Sequence, residues 1–387
     1  MADFGAEVIK VERPPHGDPY RYLSRLPGMP AAEEDYCWTI DSRSKKSLAL
    51  NLADPAGREV LLKLAAAADV FLTNFQPQLV AKFRLGYDEL RGVNDRLIYA
   101  YLTGHGERGP EAEHPAYDQT AYWGRSGLMD FMHYAGAEPC PSPPGLGDHP
   151  AAMALFGAIM MALFQRQKTG QGMKVTTSLM ANGAWANSCF IQAAFAKAVW
   201  PERARRTKPR SPLTNHYRSR DGRRFFLCMI DPEKDWPRLC GAMRREDLIA
   251  GERFATPLAR RERVEEVVAL LDAEFARQDM AEWARRFAQN EVTWGPVPST
   301  AEVIHDEQMA LNGVFVEIAD APGGPRRTVS SPIAVEGIEK APPRMAPAVG
   351  QHSLEILESL GYSREGIGRL LDSGAVFAAA LQEKRTA

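Results

Sequence analysis

Apolar positions along the first 180 residues fall into two alternating rhythms. Short β-branched or aliphatic runs recur: AEVIKVE with Val8, Ile9 and Val11, SLALNL over 47–52, DVFLTNF over 69–75, RLIYAYLTGHG over 96–106 and MKVTTSL over 173–179. Each reads as a strand. A helix-like MADFG precedes the first and ends at Gly5, a suitable C-cap. Between the strands the apolar spacing is helical. DPAGREVLLKLAAAA (54–68) has Asp54 as N-cap and Pro55 at its first position. YDELRGVN (87–94) predicts a short helix and YDQTAYWGRSGLMDF (117–131) a longer one. AAMALFGAIMMALF (151–164) is apolar on every side, which predicts a helix buried all round. MANGAWANSCFIQAAFAKAVW (180–200) predicts one long helix.

Strand–helix alternation of this kind implies an α/β fold, a parallel sheet with helices on both faces. Ligands bind such sheets beyond the carboxyl ends of the strands. The tips to watch are Lys10–Arg13, Asn74–Phe75 and Thr103–Gly106. Past residue 211 the texture changes. HYRSRDGRRFFLCMI (216–230) predicts a hairpin with Asp221–Gly222 in its turn, and amphipathic helices follow near 258–275 and 279–289. A β-ribbon over 313–335 looks like a return path, and two short helices close the chain over 347–376. The expected organisation is a large α/β domain over 1–200, a linker over 201–211, a smaller inserted α+β domain over 212–305, and the return ribbon with the closing part of the large domain over 306–387.

Composition narrows the function classes. The 47 basic and 49 acidic residues leave a formal charge of −2, which gives no support for wholesale attraction to nucleic acid or membrane. One basic cluster, PERARRTKPR, reads as a solvated linker. Cys37, Cys140, Cys189, Cys228 and Cys240 lie far apart with no C-x-x-C pair. That pattern suits reduced thiols in a cytoplasmic protein and argues against a disulfide framework or structural zinc. No basic-flanked apolar leader opens the chain, and the longest apolar run is too short to span a bilayer. There is no P-loop, no G-x-G-x-x-G after a strand, no G-x-S-x-G and no H-x-x-x-H. Common nucleotide folds, the serine-hydrolase elbow and metal binding are therefore not expected.

The segment PPGLGDHPAAMALF stands apart. A glycine-rich turn brings Asp148 to the mouth of the apolar helix, with His149 and Pro150 in the first positions. Taken alone, Asp148 is an N-cap. It is also a carboxylate that a helix dipole would hold ionised, with Gly145 and Gly147 leaving room for a substrate, and such a carboxylate can attack an activated acyl group. Backbone N–H groups of the 145–150 turn are oxyanion candidates.

Several blocks, in order, carry a wider likeness: GAEVIKVERP…GDPYR, KKSLALNLADPAGREVLLKLAAAADVFLTNFQP, LGYDELRGVNDRLIYAYLTGHGERGP, YDQTAYWGRSGLM, LGDHPAAMALFGAIMMALFQRQKTGQGMKVTTSL and VGQHSLEILESLGYS. Through them the chain resembles the class III CoA-transferases, the formyl-CoA and carnitine CoA-transferase family, whose superfamily includes 2-methylacyl-CoA racemases. The resemblance implies a Rossmann-like large domain and an interlocked homodimer. It implies an enzyme that moves CoA from an acyl-CoA to a carboxylic acid through an aspartyl anhydride and an aspartyl-CoA thioester. Coenzyme A then enters as substrate, with no permanently bound cofactor and no metal. Asp148 falls on the catalytic aspartate. Arg13, Asn74, Phe75 and Lys82 fall on CoA contacts, local spacing leaving Lys82 or Arg84 open. Gly147, His149 and Tyr117 are the candidates for substrate or oxyanion contacts. Family members open with an earlier strand and a CoA-clamping loop, so the likeness implies either that the start at Met1 is internal, the favoured reading, or that the large domain lacks its first strand. Racemases place a histidine where Tyr117 stands, and a phenol with a pKa near 10 is a poor α-proton shuttle. Transfer is the favoured reading, with racemisation or a degenerate CoA-binding paralogue as alternatives.

Overall fold

In the computed structural model, which describes residues 1–324 and 326–379, the first β-branched run becomes β1 (Ile9–Glu12). A 3₁₀ segment, Pro19–Arg25, and α1 (Tyr36–Ser42) lead from it to β2 (Lys46–Leu50). β1 and β2 pair in parallel, Val11 opposite Leu48. α2 (Pro55–Ala67) starts as the sequence predicts: the Asp54 carboxylate accepts the Ala56 N–H, and Pro55 fills the first turn. β3 (Val70–Thr73), α3 (Pro77–Phe83), α4 (Tyr87–Arg91) and β4 (Ile98–Thr103) follow.

The stretch 117–131 is not one helix. Tyr117 and Thr120 exchange capping hydrogen bonds at the head of a π-helical turn, Asp118–Gly124. Gly127, at φ 82°, then turns the chain into a single helical turn, α5 (Leu128–Phe131). α6 (Asp148–Thr169) runs for 22 residues. It is not buried all round, because one stripe alone, Ala151, Leu155, Ile159 and Ala162, meets the core. Leu155 and Ile159 pack with Ala100 of β4, while Met161 is 69% and Phe164 59% exposed. After β5 (Met173–Ser178) the predicted helix over 180–200 is two, α7 (Leu179–Ala186) and α8 (Ser188–Phe195). The break falls at Asn187, whose side-chain amide donates to the Ser126 carbonyl at 2.9 Å.

β3, β4 and β5 form a parallel three-stranded sheet. A second sheet joins β1, β2 and the short antiparallel strand Val376–Phe377. The expected single sheet is thus two, because the second edge of β2 closes on that C-terminal strand. The outer edges of β1 and β3 carry no ladder among the described residues. Both sheets share one core, with Leu48, Leu50, Val60, Leu90 and Tyr99 buried in it.

Two compact units divide the chain: residues 1–129, 141–192 and 308–387, and residues 130–140 with 193–307. The first is the α/β unit just described, to which the antiparallel ribbon Phe315–Ile318 with Arg326–Val329 is added. The second is α+β. β6 (Thr214–Arg218), β7 (Arg224–Cys228) and β8 (Trp294–Val297) form an antiparallel sheet backed by the helices Pro232–Met243, Val264–Phe275 and Met280–Gln289. Its core is aromatic, with Trp236, Trp283, Phe225, Phe275 and Phe287 buried together. No helix among the described residues is long and apolar enough to cross a membrane.

α7 presses its backbone onto the π-helical turn. A Cβ on Gly183 would lie 2.4 Å from the Tyr122 carbonyl oxygen and 2.9 Å from Ser126 Cβ. Overpacking of this kind costs about 1–3 kcal/mol, more than the roughly 0.5–1 kcal/mol that alanine gains over glycine in a helix. Gly183→Ala is expected to lower the thermal unfolding midpoint. A variant as stable as the parent would show that the two elements do not meet this closely.

Candidate active site

The first turn of α6 is set by a glycine and a buried acid. Gly147 is the N-cap, and its N–H donates to Asp118 Oδ2 at 3.2 Å. Asp118 is buried in the π-helical turn and also accepts the Gln119 N–H at 2.8 Å. A Cβ on Gly147 would stand 2.6 Å from Tyr122 Cγ and 3.0 Å from Asp118 Cβ, so no larger residue fits without displacing that turn. Asp148 is consequently the first residue of the helix and not its cap, and its side chain makes no capping bond. Its carboxyl keeps solvent access. The expected effect of the helix dipole, to hold it ionised, is outweighed. Partial burial first, then the charge of Asp118 and to a smaller degree that of Asp41, push its pKa up to about 6, against an opposing pull from His149.

A second set of residues reaches the same turn from the end of β1. The fully buried Glu12 carboxylate takes two hydrogen bonds from Arg21, at 2.9 and 2.7 Å, and one from the Ser47 hydroxyl at 2.6 Å. The Arg21 guanidinium lies 3.7 Å from the Trp38 ring centroid. Asp18 caps the 3₁₀ segment through the Tyr20 N–H at 2.9 Å and pairs with Lys10 at 2.6 Å. So anchored, Tyr20 donates its hydroxyl to Asp41 Oδ2 at 2.5 Å, and Asp41 Oδ1 sits 3.3 Å from His149 Nε2. Burial alone would raise Asp41, but the hydrogen bonds from His149 and Tyr20 overcome it and hold the carboxyl below its ordinary range. The hydrogen bond to Asp41 raises the His149 pKa, with the charges of Asp41, Asp148 and Asp118 adding to it. Burial and the Asp41 contact push the Tyr20 phenol up. A carboxyl of raised pKa therefore stands beside an imidazole biased towards its cationic form.

Not every residue singled out from the sequence joins this turn. Asp148, Gly147 and His149 do. Tyr117 is 77% exposed and serves as the head of the π-helical turn. Asn74 is exposed just beyond β3, and Phe75 is half-buried with its ring 6.1 Å from Phe83. Lys82 is exposed on α3, its ammonium 5.6 Å from the same Phe83 ring. Arg84 follows in the left-handed conformation, also exposed. Arg13 is exposed at the β1 tip, with no ion pair among the described residues. Of the backbone N–H groups in the 145–150 turn, Gly147 is held by Asp118 and His149 by the Gly145 carbonyl at 3.1 Å. The Asp148 N–H has no protein acceptor among the described residues. Asp118, Asp41 and Tyr20 escape a reading of the sequence. Asp118 and Tyr20 at least lie in quoted blocks, Asp118 directly after Tyr117 and Tyr20 in GDPYR, whereas Asp41 lies outside them.

Comparison with known proteins adds four findings. The model of CoA-transferase family III matches residues 1–353. The chain is 31% identical over 375 residues to the cinnamoyl-CoA:phenyllactate CoA-transferase of Clostridium sporogenes, covering 96% of this chain and 90% of that protein. It is 31% identical over 379 residues to the (R)-2-hydroxy-4-methylpentanoate CoA-transferase of Clostridioides difficile, covering 97% of this chain and 94% of that one. Among solved structures, that of a CAIB/BAIF family protein from Brucella suis superposes with a TM-score of 0.80 at 27% identity, over 92% of this chain and 93% of the other.

The raised carboxyl makes a signed prediction. Asp148 binds its proton more tightly folded than unfolded, since its pKa rises from 3.8 to about 6. That contribution is complete below the lower value and lost as pH rises through the upper one. Asp148→Asn does not titrate. Its thermal midpoint, relative to the parent, is expected to climb between about pH 4 and about pH 7 and level off above. The climb should shrink when Asp118→Asn is also present. A pH-independent difference would show that the Asp148 pKa is not raised.

Proposed function

The chain belongs to CoA-transferase family III, an enzyme family, and from that premise we propose that it moves CoA from an acyl-CoA donor to a carboxylic acid acceptor with Asp148 as the covalent carrier. The observation that carries the reading is the placement of Asp148. It stands uncapped at the head of α6, open to solvent, beside a cation-biased imidazole.

The steps balance without an external reagent. The Asp148 carboxylate attacks the donor thioester carbonyl, the C–S bond breaks, and CoA thiolate leaves an aspartyl–acyl anhydride. The thiolate then attacks the Asp148 carbonyl and expels the donor acid, giving an aspartyl-CoA thioester. The acceptor carboxylate attacks that thioester, forming a second anhydride and freeing the thiolate. Attack of the thiolate on the acceptor's carbonyl releases the new acyl-CoA and regenerates Asp148. A covalent carboxylate conserves the thioester's activation through each step, where hydrolysis would discard it. Ionisation near pH 6 supports nucleophilic attack at neutral pH with more basicity than an ordinary aspartate provides. The unengaged Asp148 N–H is a backbone donor open to the oxyanion, while Gly147 acts through its missing side chain. His149, held by Asp41, offers a positive face to an approaching carboxylate.

CoA needs cations for its phosphates and an apolar surface for its base. Arg13 at the β1 tip, Asn74 and Phe75 at the β3 tip and Lys82 on α3 supply these chemistries at strand ends, where open α/β sheets bind ligands. Tyr117, exposed at its turn, is available to an acyl group. The bare apolar side of α6 supports a homodimer, since Met161, Phe164 and the 80%-exposed Trp185 of α7 need a cover that a second copy would give.

Incubation with acyl-CoAs should leave a CoA adduct on the peptide that holds Asp148, trappable by hydroxylamine. Asp148→Ala should lose both adduct and transfer while folding normally. His149→Ala should keep the adduct and raise KM for the acid several-fold. Transfer that survives in Asp148→Ala, or α-proton exchange with solvent in the absence of any acceptor acid, would overturn the mechanism. Sedimentation should give twice the 42.8 kDa of one chain, and a monomer would remove the proposed cover.

A further inference from the structure

The outer face of the β6–β7 hairpin carries charges that neither the fold nor the proposed transfer uses. Arg218 and Arg224 are direct partners in the antiparallel register. That places their Cβ atoms roughly 5 Å apart, where like charges repel. Both side chains are exposed, and neither meets a carboxylate among the described residues. Neighbouring arginines are paired: Arg220 with Asp279 at 2.6 Å, Arg223 with Glu302 at 3.5 Å. Arg206, from the basic stretch read as a solvated linker, is half-buried and paired. It holds Asp272 through two hydrogen bonds of 2.5 Å and donates to the His216 carbonyl at 2.9 Å.

These groups enclose a cavity of about 240 Å³ lined by Arg206, His216, Tyr217, Arg218, Arg224 and Asp272. Three guanidinium groups thus face one carboxylate, and that carboxylate is already engaged by Arg206. His216 lies two residues before Arg218 on the same strand face, its Nδ1 3.2 Å from the Tyr134 hydroxyl. Burial, then the charges of Arg206 and Arg224, lower its pKa against a weaker pull from Asp272. The cavity is therefore electropositive, small and closed on one side by packed protein.

We propose that the space between Arg218 and Arg224 is a binding site for a small oxyanion, a phosphate or a carboxylate group, held by the two guanidinium forks with His216 beside it. A guanidinium presents parallel N–H donors that match a carboxylate or phosphate edge, and two facing forks suit a tetrahedral or planar oxyanion. An anion there would cancel the cross-strand repulsion and reverse the field at His216. The site is far too small for CoA and uses no residue of the Asp148 turn, so it stands whether or not the transfer reading does.

The test uses the full chain and two probes, inorganic phosphate and acetate, each against chloride at equal ionic strength. Calorimetry should show saturable binding of at least one probe, and the tighter of the two assigns the source. NMR of the His216 ring, identified by its loss in His216→Asn, should show a pKa that rises with the bound anion. Arg218→Gln/Arg224→Gln, two exposed positions expected to leave the fold intact, should weaken binding at least tenfold and abolish the rise. No saturable heat with either probe would overturn the site, as would equal affinity in the double variant or a His216 titration indifferent to anion.

Discussion

One backbone contact governs the head of α6. The Gly147 N–H reaches a buried carboxylate, and the absence of a Cβ at that position lets the π-helical turn come within contact of the helix start. Both parts are needed. A side chain at Gly147 would push the turn away, and without Asp118 an N–H at a helix end would lack a protein acceptor. The contact decides where the helix begins, and therefore that Asp148 is its first residue with a side chain free of capping duty. It also brings a second negative charge close enough to act on Asp148.

The electrostatics of the turn follow from how differently its acids are housed. Glu12 is buried but fully compensated by Arg21 and Ser47, so its charge is consumed in holding the loop after β1. Asp41 is compensated by Tyr20 and His149 and stays ionised. Asp148 has no such partner and takes up the strain as a raised affinity for a proton. A chemically available carboxyl results from withholding hydrogen bonds from one acid while granting them to its neighbours. The Arg21–Trp38 stack gives the arrangement rigidity, since it fixes the guanidinium on which the loop depends.

Much of both units is legible in the residues. The alternation of strands and helices, the Asp54–Pro55 start of α2 and the hairpin around Gly222 all follow from local chemistry and appear where expected. What local chemistry leaves out is whatever depends on a distant partner. At the break after α7, Asn187 bonds Ser126 from another segment, and that proximity exists only after folding. α6 reads as buried on every side because an apolar pattern reports a wish to be covered without saying by what. β2 takes Val376–Phe377 as its neighbour across most of the chain length, so a single sheet splits in two. At the site, family likeness marks Asp148, Gly147 and His149 directly. Asp41 and Tyr20 arrive through a loop whose shape is set by Glu12 and Arg21, and the dipole argument for Asp148 fails because partial burial, and after it the charge of Asp118 from another segment, outweigh the dipole.

The bare side of α6 has one more property. Met153, Met160 and Met161 all lie on it, 39%, 36% and 69% exposed. A thioether in that position is open to peroxide, and each sulfoxide formed turns an apolar, pliable side chain into a polar and chiral one. A second copy seated on this side would therefore shield these sulfurs, and their oxidation would mark chains whose helix face stands uncovered. Sulfoxide reductases could erase it without the fold having come apart.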